Sequence, residues 1–336
     1  MARLLIELPG LLEPPYRPDI PHPISSIETP VLDEWLSVAD RISCDSVPQL
    51  ASYGIGNAAD AYYGALAHHL PDAEKHAWLR ADLVECRPDA LAVYLLGNRH
   101  LGLTDDELKA LANDINALLM PEGIRWYPIS AWSGYLSIPS APALTLTPLP
   151  EALLMDQTDY FPRGADAAAW QRRLTELQML LFEHPVNQAR HARGSAPVNA
   201  IYLWAYQKNR TPRSVEADLV ISDSAMIRGM VANTSQADVL KETGMPEVAQ
   251  LLKYEQVHMV LTHLFWLRRQ GLIAEWQQYV LDFERRFLAE ITKSIKSGLI
   301  EEVVLLAGDG HAYRLGRSQY SWFGRVIGAC KRWWQK

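Results

Sequence analysis

The residue types best suited to chemistry lie between His184 and Asn199, where His184, Asn187, Arg190 and Arg193 recur every three residues and Asn199 follows. On a helix that spacing places Asn187, Arg190 and Arg193 on one side. Two guanidinium forks held together there suit a phosphate or carboxylate, gripped through paired N–H bonds, and asparagine amides can donate to the same oxygens. The same residues admit a second assignment, with the asparagines capping helix ends and the arginines tying an inserted domain to a core. Arg80 and Asp82 alternate in an apolar run, so both project from one face of a strand, with Arg87 just beyond. They are candidate ligand-binding residues, or else a weak surface ion pair.

Asp309 and His311 follow the apolar run Val303–Leu306, the place where α/β sheets put ligand-binding residues. As metal ligands they need partners, yet His258 and His263 are separated by an odd number of residues and cannot face one side of a strand. A Gly308-Asp309-Gly310 turn leading into a last strand is the simpler assignment. Ser46 and Ser52 are the hydroxyl candidates for a nucleophile in the segment Cys44–Gly56. His22, His68, His69 and His100 lack helical metal-ligand spacing and read as surface residues.

These groups need elements to hold them. Arg3–Leu8, closed by Pro9-Gly10, is a short buried strand. Thr29-Pro30 predicts a helix start, with Thr29 as its cap, Pro30 at the first helical position and Leu32, Leu36 and Ala39 on its apolar face. Trp78–Cys86 and Leu91–Leu96 read as strands joined by Arg87-Pro88-Asp89. Thr104 and Glu107 form a capping box opening a helix to about Leu119, and Asp166 is expected to cap another. Ile201–Trp204, Leu219–Ser222, Val257–Leu264 and Val303–Leu306 are continuous apolar runs, as in a mainly parallel sheet covered on both faces. Between the last two, Trp276, Val280, Phe283, Phe287, Ile291 and Ile295 mark a long amphipathic helix ended by Gly298. Alternating strands and helices predict an α/β fold.

Composition narrows the class. With 336 residues, 49% hydrophobic and 21% charged, the chain is expected to form one large or two interlocked globular domains. A formal net charge of -7 argues against broad attraction to nucleic acid or an anionic membrane. The three cysteines, Cys44, Cys86 and Cys330, form no Cys-x-x-Cys pair and suit a reducing, cytoplasmic compartment. No apolar stretch is long enough to span a bilayer. After Gly310 no acidic residue occurs, while Arg314, Arg317, Arg325, Lys331, Arg332 and Lys336 interleave with Trp322, Phe323, Trp333 and Trp334. This end is either a terminal helix packed by its aromatics or a segment for contact with nucleic acid, a membrane surface or a protein partner.

Several segments, in order, resemble the archaeal-type cofactor-independent phosphoglycerate mutases and the bacterial phosphoglycerate mutase-like (RpfE-type regulatory protein) branch. They are Thr29-Pro30-Val31-Leu32-Asp33, Tyr62-Tyr63-Gly64, Trp78-Leu79-Arg80-Ala81-Asp82, and His184-Pro185-Val186-Asn187 through Arg190, Arg193-Gly194, Pro197-Val198-Asn199 and Leu203-Trp204. The resemblance implies an alkaline-phosphatase-like core, a mainly parallel sheet flanked by helices, formed by 1–77 and 200–336. A smaller α+β domain, 78–199, is implied as an insertion. It also implies that Arg80 and its neighbours engage a small phosphorylated acid, at an anion pocket between core and insertion.

Departures from the family pattern fall at the metal ligands. Where active relatives carry Asp-Gly after the first strand, this chain has Pro9-Gly10. An Asp-x-x-Gly-His motif is replaced by Phe265-Trp266-Leu267-Arg268-Arg269, and an adjacent Asp-His pair is spread over Gly308-Asp309-Gly310-His311. Proline and arginine offer a divalent ion no lone pair, so the expectation is a phosphoglycerate mutase-like pseudoenzyme without a metal, serving binding or regulation. The alternatives are an active phosphotransferase using manganese or zinc, with ligands relocated to Asp309, His311 and Ser46, and a protein-interaction module at the C-terminus.

Overall fold

The structure, a computed structural model, describes residues 1–15, 19–47, 49–90, 92–154, 160–206, 214–241 and 245–320. The chain divides into two compact units, one formed by Met1–Ser52 with Arg213–Lys336 and the other by Tyr53–Pro212. In chain order the strands are β1 (Ala2–Glu7), β2 (Asp40–Ser43), β3 (Ala77–Pro88), β4 (Val93–Gly97), β5 (Arg125–Ser130), β6 (Ser133–Ile138), β7 (Ala200–Trp204), β8 (Leu219–Ser222), β9 (Asp238–Lys241), β10 (Gln256–Val260), β11 (Ile300–Leu306) and β12 (His311–Gly316). The main helices are α1 (Pro30–Val38), α2 (Asp60–Ala67), α3 (Asp105–Leu119), α4 (Ala167–Glu183), α5 (Pro185–Ala192), α6 (Ala225–Thr234), α7 (His263–Arg269), α8 (Ile273–Asp282) and α9 (Ala289–Ser297).

The first unit is built on a seven-stranded sheet in the order β2-β12-β11-β1-β10-β8-β9. Strands β11, β1, β10, β8 and β9 run parallel, and β12 and β2 close one edge antiparallel. Alternation along the strands sorts the side chains. Leu4, Ile6, Ile221, Met259, Val303 and Leu305 face a core shared with Leu32 and Trp35 of α1 and with Trp276, Val280, Phe287, Ile291 and Ile295. Val304, Leu306 and Ala312 form a smaller apolar cluster with Leu5, Ile42 and Cys44.

The helix expected to run to Gly298 does so, but through a π-turn, Phe283–Leu288, between α8 and α9. Gly298 ends it in the left-handed region. The extra residue in the π-turn serves α1. Thr29 makes no side-chain cap, contrary to expectation. Instead the buried Glu284 carboxylate accepts the amides of Val31 (2.5 Å) and Leu32 (3.0 Å).

The second unit carries an antiparallel sheet in the order β4-β3-β6-β5, with β7 also paired to β3. Ile201–Trp204 therefore does not join the parallel sheet, as its unbroken apolarity suggested, but lies antiparallel to Arg80–Val84. Helices α3 and α4 cover one face of this sheet, burying Leu111, Ile115, Leu119, Trp170, Leu177 and Leu181 against Leu79, Ala81 and Leu83. The capping box at the start of α3 forms as expected, with both Thr104–Glu107 bonds present. Asp166 does not cap α4; its Oδ2 accepts the Ala143 amide at 2.7 Å. No described helix is long and apolar enough to cross a membrane.

Candidate functional site

In the second unit, Arg80 and Asp82 share a face of β3, but they are no surface pair. The Arg80 side chain is 11% exposed and that of Asp82 1%. The Arg80 guanidinium lies 4.8 Å from the ring centres of both Tyr135 and Trp204. It donates to both Asp82 oxygens at 3.0 Å, to Asp60 at 2.9 Å and to the Tyr135 hydroxyl at 3.1 Å. Asp82 also accepts the Gly134 amide (3.0 Å) and the Trp204 indole (2.8 Å). Burial pushes the Asp60 carboxyl above its ordinary range despite Arg80, with the Asp82 charge adding to the rise. Two carboxylates, one guanidinium and two aromatic faces thus form a closed network locking β3 to β6, β7 and α2.

The His184–Asn199 segment resolves in the same way. His184 caps α5 through Nδ1, which accepts the Val186 amide at 3.1 Å. Its Nε2 lies 3.1 Å from Asp114 Oδ2 but out of hydrogen-bond alignment. Asn187 serves the end of α4 from inside α5: its amide donates to the last-turn carbonyl Leu181 O and to Val198 O and accepts Val198 N, all within 2.9 Å. Asn199 brackets Cys86, donating to its carbonyl and accepting its amide at 2.7 Å each. Arg190 is 1% exposed and donates to Ala196 O (2.7 Å), Leu101 O and Glu107 Oε2 (2.9 Å). Arg193 reaches Glu107 Oε1 and keeps a side chain 49% exposed. The two arginines do face one side, as their spacing predicts, but what they meet is Glu107 on α3. They tie α5 to α3 inside one unit. Desolvation raises the Glu107 pKa, but the Thr104 amide with Arg193 and Arg190 outweighs it and holds the carboxyl below its ordinary range.

His100, expected at the surface, also has a partner. His100 Nε2 lies 2.6 Å from Glu85, whose other oxygen binds Arg87. Between them burial pushes the Cys86 thiol up to about 12, which removes it as a nucleophile at neutral pH.

In the first unit the segments expected near a metal do converge, at the carboxyl ends of β1, β10 and β11. The amides of Leu8 and Leu12 donate to Leu306 O and Ala307 O, each at 2.8 Å. Gly10 has φ +86°, and a Cβ there would lie 2.5 Å from the Phe265 backbone. A Cβ on Gly308 would lie 2.7 Å from Glu13 Cγ. Arg268 donates to Glu13 O (2.7 Å), Gly10 O (3.4 Å) and Pro14 O (3.3 Å) and lies 3.1 Å from His22 Nε2. The Trp276 indole donates to Gly10 O at 2.9 Å. His22 is therefore part of this site, not a free surface residue; burial and the Arg268 charge lower its pKa. Burial raises the Glu13 pKa, with Arg268 opposing.

Asp309, His311 and Ser46 lie at the β2–β12 edge, because β12 pairs with β2 so that His311 stands opposite Ser43. Asp309 accepts the Tyr313 hydroxyl at 2.5 Å and the His311 amide, His311 Nδ1 is 3.6 Å from Asp309, and the Ser46 hydroxyl donates to Ser43 O at 2.6 Å. The side chain of Ser52 and the basic aromatic end beyond Tyr320 lie outside the described residues.

Sequence reasoning missed Glu7. It closes β1 with a buried carboxylate 2.5 Å from His258 Nε2, and it accepts the amides of Leu50 (2.6 Å) and Ala51 (2.9 Å). A lone acid within an apolar run was the available signal. These donors do not fit a two-metal centre. Glu7 is engaged by three donors, Arg268 places a fixed positive charge among the carbonyls, and no group of three or more His, Cys, Asp or Glu among the described residues is placed to hold a metal ion.

No protein-family model matches the chain, and no curated protein matches it significantly. Among solved structures it is similar to the PH0037 protein of Pyrococcus horikoshii, at 14% identity and a TM-score of 0.54, over 94% of this chain and 87% of that one. It also aligns with the cofactor-independent phosphoglycerate mutase of Thermoplasma acidophilum DSM 1728, at 18% identity over 94% of this chain and 89% of that one, with a TM-score of 0.37. The first likeness is one of fold alone.

Proposed function

We propose that this chain is a phosphoglycerate mutase-like protein with an alkaline-phosphatase-like core, whose metal centre has been replaced by internal contacts and which serves binding or regulation in place of catalysis. One observation carries the reading. At the carboxyl edge of the parallel sheet, the three segments that in the resembled family supply metal ligands meet through Gly10, Phe265 and Gly308, and the Arg268 guanidinium stands among the carbonyls of the Gly10–Pro14 loop. Phosphotransfer of that type needs divalent ions to neutralise phosphoryl oxygens and activate a hydroxyl. Among the described residues no group of three or more His, Cys, Asp or Glu is placed to hold such an ion.

The ligand class that fits the reading is a small phosphorylated acid. Arg193, half exposed beside Glu107, is the residue of the His184–Asn199 segment best placed to meet one. Arg80, Asp82, Asn187, Arg190 and Asn199 would support such a site by holding its backbone.

The test uses the purified, chelator-treated protein. Its thermal midpoint is followed against manganese, zinc and 3-phosphoglycerate, alongside mutase and phosphatase turnover. The expected result is no metal-dependent turnover and no metal-dependent shift. A ligand that binds the native state stabilises it by about 2.7 kcal/mol at a hundredfold excess over Kd, so a shift with 3-phosphoglycerate alone identifies a binding protein. Metal-dependent turnover overturns the reading. If that turnover is abolished by Asp309→Ala, an enzyme with ligands relocated to Asp309, His311 and Ser46 takes its place.

A further inference from the structure

Arg268 is 8% exposed, and its guanidinium is surrounded by a donor set of unusual make-up. Three carbonyl oxygens come from Gly10, Glu13 and Pro14, and an imidazole nitrogen comes from His22. The Glu13 carboxyl lies close enough for the Arg268 charge to pull its pKa down against burial. Backbone carbonyls and an imidazole, with a carboxylate nearby, are what proteins assemble around a cation. Gly10 O also accepts the Trp276 indole, whereas Glu13 O and Pro14 O point inward to Arg268, and carbonyl dipoles turned inward favour a positive group among them. The loop has little freedom to curl otherwise: Gly10 is pressed against the Phe265 backbone and Glu13 against Gly308.

We infer that the Gly10–Pro14 loop with His22 is a cation site specific for a planar guanidinium, filled by the chain's own Arg268. The occupant is tethered, so the edge where β1, β10 and β11 end is ordered without any diffusible ion. A guanidinium also fits better than an ammonium, because separate N–H groups reach Glu13 O and Pro14 O from one planar fork. The inference rests on the metal-free reading above, since a divalent ion among the same carbonyls would compete with Arg268.

The test compares wild type with Arg268→Ala and Arg268→Lys by thermal midpoint, each with and without millimolar methylguanidinium or manganese. Arg268→Ala is expected to lose several degrees, and methylguanidinium to restore part of that loss while leaving wild type unmoved. Arg268→Lys keeps the charge without the fork and is expected to fall between the two. Should Arg268→Ala fail to fold, Arg268→Lys carries the same test, with a loss that methylguanidinium does not repair. An unchanged midpoint in Arg268→Ala, absence of rescue by methylguanidinium in a folded Arg268→Ala, or an Arg268→Lys equal to wild type overturns the inference. Rescue by manganese as strong as by methylguanidinium also overturns it. Metal-dependent turnover of the wild type is a separate result and sinks the functional reading instead.

Discussion

Replacing Arg190 with methionine separates the two roles open to the His184–Asn199 segment. Arg190 donates to Glu107, Leu101 O and Ala196 O and is 1% exposed, so methionine fills the volume but leaves Glu107 with only Arg193 and the Thr104 amide, and two carbonyls without their donor. Breaking one side of a buried pair costs about 3–5 kcal/mol. At about 2–4 °C per kcal/mol for a unit of this size, the midpoint falls by roughly 10 °C. Arg193→Met is the control: it removes the half-exposed contact to the other Glu107 oxygen and costs under about 1 kcal/mol. Urea unfolding followed by circular dichroism reads both variants, provided that the slope with denaturant is unchanged. If Arg190→Met and Arg193→Met both stay within about 1 kcal/mol of wild type, Arg190 is not the staple described here. Its burial and short contacts would then have been misjudged as sources of stability.

Gly10→Ala forces a Cβ to 2.5 Å from the Phe265 backbone at φ +86°, so soluble expression and the thermal midpoint should both drop; a variant as stable as wild type would show that the loop is not held against α7. Acid should weaken the α3–α5 contact. Glu107 has a pKa below its ordinary value, so its contribution is full above the unfolded carboxyl value of 4.5 and is lost as pH falls through the lower folded value. Glu107→Gln should therefore be less stable than wild type near neutrality and converge with it at acid pH. A constant gap between the two proteins would refute that assignment.

What the chain states locally could be read from it directly. The runs Leu219–Ser222 and Val303–Leu306 do give parallel strands, and Val257–Leu264 gives one as far as Val260 before His263 and Leu264 open α7, because a strand covered on both faces must be apolar throughout. The capping box at Thr104 and the stop at Gly298 also form where expected, since each depends on neighbours within a turn or so. Ile201–Trp204 looked the same as the parallel runs and lies instead in the antiparallel sheet. An unbroken apolar run reports burial on two faces and is silent about the direction of its partner.

The candidate site was legible as a set of residues and not as a set of contacts. Spacing put Arg190 and Arg193 on one side, but only the packing of α5 on α3 brought Glu107 to both. Alternation put Arg80 and Asp82 on one face of β3, while their burial depended on Asp60 of α2 and on Tyr135 and Trp204 of neighbouring strands. Glu284 caps α1, Glu7 meets His258, and Arg268 closes on Gly10–Pro14, each from more than two hundred residues away in the chain. A charge removed from water requires a compensating group nearby in space, and sequence spacing carries no information about which distant group that will be. The elements and the residue types were thus determined by the sequence alone. Whether each charged side chain faces a ligand or its own protein was decided only when the chain folded.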